Sequence, residues 1–107
     1  MGDMITILAK IKLAKGKTEA DLLAASQKFQ KEFASKQPGI IRRELVRKGN
    51  GDFLDIVQFT SMAAVEDVME KEKTSPVCHE FFAVMDMGDE DGDDMEGVEI
   101  CQSLQVF

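Results

Sequence analysis

Two runs with the period of a β-strand, separated by four turn residues, constrain this chain more than any other feature. Ile40 to Lys48 and Phe53 to Thr60 are rich in β-branched and aromatic residues, and Gly49-Asn50-Gly51-Asp52 joins them. Glycine and asparagine tolerate the positive φ angles of a tight reversal, so this stretch predicts an antiparallel hairpin. A hairpin alone cannot bury a core, and its flanks must supply the rest. Before it, Ile5, Ile7, Ala9, Ile11 and Leu13 alternate with Thr6, Leu8, Lys10 and Lys12, the period of a first strand. Gly16 breaks that run. Thr18 followed by Asp21 has the form of a capping box, and Leu22, Ala25, Phe29 and Phe33 then recur at helical spacing. Pro38-Gly39 ends the connection to the hairpin.

After the hairpin, Ser61 is placed to cap a second helix whose inward residues are expected to be Met62, Val65, Val68 and Met69. Ser75-Pro76 restarts a short helix through Met85, with proline at its first position, where the missing N–H costs nothing. Val98, Ile100, Leu104 and Val106 alternate with Glu99, Cys101, Ser103 and Gln105 in a last strand. The order β-α-β-β-α-β is that of an α+β, ferredoxin-like fold: a four-stranded antiparallel sheet with its helices on one face. The strands are apolar on both sides, however: Ile40 stands beside Ile41, Leu45 beside Val46, Phe53 beside Leu54 and Ile56 beside Val57, with Leu8 and Phe107 opposite their strands' main apolar row. An uncovered sheet face of that character marks an interface. A homodimer formed through the sheet face is the expected solution.

Composition fits one domain over residues 1–107, with 44% hydrophobic and 31% charged residues. No apolar run reaches the length needed to cross a bilayer, so no membrane role is expected. Lys10 and Lys12 stand where a secretory leader would be apolar, and the cytoplasm is the expected location. The net charge of −7 has a local origin. Residues 86–96 read DMGDEDGDDME and hold seven acids; the remaining 13 of the 20 acids equal the 13 Lys and Arg. Such a chain has no basic field to collect phosphates, so no nucleic-acid partner is expected, although RNA-recognition motifs share the topology. Asp55 between Phe53 and Phe59 also departs from their exposed-aromatic pattern. Calcium binding by Asp89, Asp91, Asp93 and Asp94 lacks the glycine and the distal glutamate of an EF-hand in any one register. Cys78 and Cys101 form no metal or redox motif and are expected to be free thiols.

Two residues attract attention as catalytic candidates. Asp55 lies mid-strand in apolar company, where burial would raise its pKa toward that of a general base. The competing role is an inter-subunit ion pair with Arg43 or Arg47. His79 is the only histidine and the only side chain whose ordinary pKa lies near neutrality; beside Glu80 on an amphipathic helix, an imidazole at the solvent edge needs no function. Phe29, Phe33, Phe59, Met69, Phe81 and Phe82 are candidates to line an apolar cavity, with Gln58 to orient a ligand. The same Phe and Met sets also serve as core.

Lys15-Gly16-Lys17, Gln37-Pro38-Gly39-Ile40, Asp52-Phe53-Leu54, and Ser75-Pro76-Val77 ahead of Phe81-Phe82 resemble markers of the antibiotic biosynthesis monooxygenase-like (ABM) domains, within the dimeric α/β-barrel superfamily. The resemblance runs from about Ile5 to Val106. It implies a homodimer with a pocket between sheet and helices in each subunit, an apolar or aromatic small-molecule ligand, and in some members oxidation without metal or flavin. No cofactor is therefore expected. The chain departs from the pattern at Val57-Gln58-Phe59, where many members carry Glu-x-Trp. Haem-degrading members have an Asn and a haem-ligand His that fall here at Ala9 and near Phe82, which disfavours haem binding and degradation. A cofactor-independent monooxygenase and a non-catalytic, stress-associated or ligand-sensing dimer both remain open.

Overall fold

The computed structural model describes residues 4–85 and 98–106. The acidic stretch 86–96, with the calcium reading placed on it, and Phe107 lie outside the described residues. The elements are β1 (Ile5–Ile11), α1 (Glu19–Glu32), a 3₁₀ turn (Ala34–Lys36), β2 (Ile40–Arg47), β3 (Phe53–Phe59), α2 (Met62–Glu72), α3 (Pro76–Ala83) and β4 (Val98–Gln102). The sheet order is β2-β3-β1-β4, with every neighbouring pair antiparallel. This is the ferredoxin-like arrangement.

Local chemistry explains where the elements start and turn. Thr18 and Asp21 close a reciprocal capping box: the Thr18 N–H donates to Asp21 Oδ2 at 2.9 Å, and the Asp21 N–H donates to Thr18 Oγ1 at 3.3 Å. The Ser61 hydroxyl accepts from the Ala64 N–H at 3.1 Å and starts α2. In the hairpin, Gly51 adopts φ +93°, a conformation that a Cβ would penalise, while Asn50 Oδ1 accepts from the Asp52 N–H at 3.0 Å. Gly39 is required for a different reason. A Cβ there would lie 2.6 Å from the Ala64 Cβ, so glycine is what lets the entry to β2 pass against α2.

Directly opposed residues of antiparallel strands share a face. Ile5 faces Phe59, Ile7 faces both Val57 and Ile100, and Ile11 faces Phe53; this side packs beneath Leu22, Phe29, Val65, Val68 and Phe81. The other side carries Leu8, Val46, Leu54 and Ile56, only half-buried, among exposed Lys10, Glu44 and Glu99.

Three expectations need correction. The last strand ends at Gln102 rather than Val106. Gln102 faces Ile5, the first residue of β1, so the ladder runs out there. The Ser103 N–H still donates to the Met4 carbonyl at 2.9 Å, but Leu104 and Val106 are 87% and 59% exposed. Met62 and Met69 do not point inward on α2, each being 37% exposed. Val65 and Val68 do, and adding four residues to Val68 places Glu72 on the same stripe. Finally, the first strand stops at Ile11. Leu13 makes only an isolated bridge to Met85, and the Ala14 N–H donates to the Val84 carbonyl at 3.0 Å, tying the end of β1 to the end of α3.

Candidate functional site

The sheet's covered face contains a charged group where the alternation demands an apolar one. Arg43 faces Val57 and Leu45 faces Asp55, so Arg43 and Asp55 are diagonal neighbours, two residues apart in register on the same face. Both side chains are almost wholly buried, at 5% and 8% exposed. Arg43 Nε and Nη2 donate to the same carboxylate oxygen, Asp55 Oδ2, at 3.3 and 3.2 Å. Nη2 also donates to Ser26 Oγ at 2.9 Å and Nη1 to Gln30 Oε1 at 3.1 Å, so α1 completes the guanidinium's partners. The Arg43 Cζ lies 4.8 Å from the Phe29 ring centroid and 5.5 Å from that of Phe81, within the range of cation–π attraction. The ion pair expected between subunits is therefore formed inside one chain, and Arg47 pairs instead with Glu19 at 2.7 Å.

Asp55 Oδ1 is buried and has no hydrogen-bond partner among the described residues. That is a costly condition for a carboxylate. Burial pushes the Asp55 carboxyl above its usual range, and Arg43 pulls in the opposite direction without cancelling the effect. Glu72, half-buried at the end of α2, is pushed up to about 7 by burial first and by repulsion from Asp55 second, against the attraction of Arg43. Burial also raises the Cys78 thiol; Ser75 opposes this through a hydrogen bond and Glu72 adds to it. Cys78, wholly buried, is a core thiol with no reactive thiolate at neutral pH.

The structure disperses the other sequence candidates. Gln58 faces Thr6 and Arg42 on the open side of the sheet, so it cannot orient a ligand beside Asp55 in its own subunit. His79 is exposed, with Nε2 2.9 Å from the Lys73 carbonyl, which fixes the N–H on that nitrogen; it is not brought to the buried Asp55. Phe29, Phe33 and Phe81 are brought together, but as packed core. Their ring centroids are 5.4 Å apart for Phe29 and Phe33 and 4.6 Å apart for Phe29 and Phe81. Phe59 is buried in the same core at the end of β3, Phe82 is half-buried against Phe81, and Met69 stands outside. A shallow hollow of about 170 Å³ lies instead on the open face, lined by Leu8, Lys10, Lys48, Leu54 and Glu99. Among the described residues no group of three or more His, Cys, Asp or Glu is placed to hold a metal ion, and no helix is long and apolar enough to cross a membrane.

Sequence reasoning missed Glu72, Ser26 and Gln30. The 3-4 spacing of Val65, Val68 and Glu72 was a signal for the first, and the spacing of Leu22, Ser26 and Phe29 for the second. Nothing in the sequence marks Gln30, whose role depends on where β2 delivers Arg43.

No family model matches the sequence, and no curated protein matches it. Solved structures do. SnoaB of Streptomyces nogalater, a cofactor-independent oxygenase, superposes with a TM-score of 0.68 at 16% identity, over 99% of this chain and 96% of SnoaB. A Bordetella bronchiseptica protein provisionally classed as an antibiotic biosynthesis monooxygenase gives 0.69 at 16% identity, over 98% of this chain and 99% of that one. A dimeric ferredoxin-like protein of unknown function from Jannaschia gives 0.61 at 14% identity, over 96% and 99%. The fold of this chain is thus the one adopted by antibiotic biosynthesis monooxygenase proteins, along nearly its full length.

Proposed function

We propose that this protein is a homodimer of the ABM type that binds a small apolar or aromatic molecule, with Asp55 as the polar end of the site between sheet and helices. The unpartnered, buried Asp55 Oδ1 carries the reading. An acceptor in that position is satisfied by a ligand that brings a hydroxyl or N–H, and Phe29 and Phe81, whose rings lie against the paired Arg43 guanidinium, suit a flat apolar body. Phe82, half-buried against Phe81, forms the outer edge of the aromatic set. The uncovered face bearing Leu8, Val46, Leu54 and Ile56 supports pairing with a second copy.

Asp55 is also the group placed to take a proton from such a ligand, as a cofactor-independent monooxygenase would require. The closely packed aromatic set favours a second reading, binding without turnover. Haem degradation has little support, since the only histidine faces outward.

A native mass spectrum of the freshly purified protein tests the proposal, because it reports subunit number and retained mass together. A dimer with added mass that Asp55→Asn loses supports it. A monomer at micromolar concentration refutes the dimer, and added mass indifferent to Asp55→Asn removes Asp55 from the site. Turnover of the identified ligand in oxygenated buffer then separates enzyme from sensor.

A further inference from the structure

Arg43 and Asp55 meet in an uncommon register, and that register is what leaves Asp55 Oδ1 without a partner. The Nε–Nη2 edge of a guanidinium has the spacing to meet both oxygens of a carboxylate, one N–H to each. Here both donors converge on Oδ2, at 3.3 and 3.2 Å, and the buried Oδ1 receives nothing among the described residues. A hydrogen bond between opposite charges is ordinarily about 2.7–2.9 Å long. Both bonds to Oδ2 exceed that length. They also exceed the two bonds that the same guanidinium makes to neutral groups, at 2.9 Å to Ser26 Oγ and 3.1 Å to Gln30 Oε1.

Those neutral groups belong to α1. Ser26 and Gln30 are four residues apart and so lie on one face of the helix. Ser26, 9% exposed, sits on the buried stripe with Leu22 and Phe29, where an alanine would favour the helix more. A buried hydroxyl there needs a partner, and Arg43 supplies it. The Phe29 and Phe81 rings, 4.8 and 5.5 Å from Cζ, limit the tilt of the guanidinium and leave hydrogen bonding to set its direction. Charge draws Arg43 toward Asp55, and α1 draws it aside.

We propose that Ser26 and Gln30 are positioning residues that hold Arg43 out of a two-oxygen pairing with Asp55 and thereby keep Asp55 Oδ1 open as an acceptor. Without them the guanidinium shifts along the carboxylate, each oxygen gains its own N–H, and the acceptor closes. The use of that acceptor by a ligand rests on the function proposed above. The positioning itself is legible in the Asp55 carboxyl with no ligand present.

The full-length chain labelled with ¹³C-carboxyl aspartate and titrated by NMR tests this, with Asp55→Asn identifying the Asp55 resonance. In the double variant Ser26→Ala with Gln30→Met, Asp55 is expected to titrate about one pH unit or more lower than in the unaltered protein, because a second charge-assisted bond favours the ionised form. A purely structural or solvating role for the two side chains predicts the opposite sign, since their loss leaves the carboxylate drier. An Asp55 midpoint that is unchanged or raised therefore overturns the proposal. Ser26→Ala alone, which removes only a hydroxyl, is expected to give part of the downward shift and decides the matter if the double variant fails to fold. A native mass spectrum of the same samples separates the two readings: a lowered midpoint with retained mass lost from the double variant supports both, and a lowered midpoint with no retained mass in any form upholds the positioning and removes the ligand.

Discussion

The two faces of the sheet come from the same strands, and they solve opposite problems. The covered face buries Ile7, Phe53 and Phe59, yet it also encloses Arg43 and Asp55, held by α1 and two phenyl rings. The open face carries the converse mixture: Leu8, Val46, Leu54 and Ile56 lie half-buried among lysines and glutamates that water solvates. On the covered side the chain places charge where apolar residues would be safer. On the open side it places apolar residues where charge would be safer. Neither choice helps an isolated subunit fold, since a buried ion pair is weak evidence for stability and an uncovered apolar face favours association. Both make sense if one face serves a site and the other a partner.

That contrast can be broken from either side. The largest effect is expected from Arg43→Ala, which leaves the Asp55 carboxylate buried and unpaired; urea unfolding should show a loss of about 3–5 kcal/mol. Arg43→Met with Asp55→Leu should recover most of it while abolishing any retained ligand. If the double variant is as unstable as the single one, the ion pair is a structural necessity and the site reading weakens. On the open face, Leu54→Asp should leave the subunit folded but raise the dimer dissociation constant by roughly 100-fold, read by sedimentation over a concentration series. An unchanged constant would move the interface elsewhere. The smallest effect sharpens the comparison as a control: Thr18→Ala removes a helix cap remote from both faces and should cost about 1 kcal/mol in urea, with no change in dimerisation.

Local patterns made much of the fold legible. The hairpin was visible in Gly49-Asn50-Gly51-Asp52, the first helix in Thr18 and Asp21, and the third in Ser75-Pro76, because turns and caps are decided within a few residues. Errors arose where a neighbour decides. The alternation of Leu104 and Val106 is a sound strand signal, but a strand needs a partner, and β1 ends before reaching them. The face of α2 was misjudged at Met62 and Met69 because methionine and valine count alike in a hydrophobic pattern, whereas the packing selects Val65 and Val68. Gln58 was placed with Asp55 although their separation of three residues puts them on opposite faces, a distinction strand periodicity already contains.

Sequence alone determined the order of elements, the hairpin, the apolar character of both sheet faces and the singularity of Asp55 on its strand, since each depends on periodicity or on local backbone preference. Tertiary structure alone decided that Asp55 meets Arg43 of its own chain, that Ser26 and Gln30 complete the guanidinium's partners, and that Glu72 is half-buried at the end of α2. Those relations span register and helix orientation, and they are fixed by the competition of many side chains for one interior rather than by any segment acting alone.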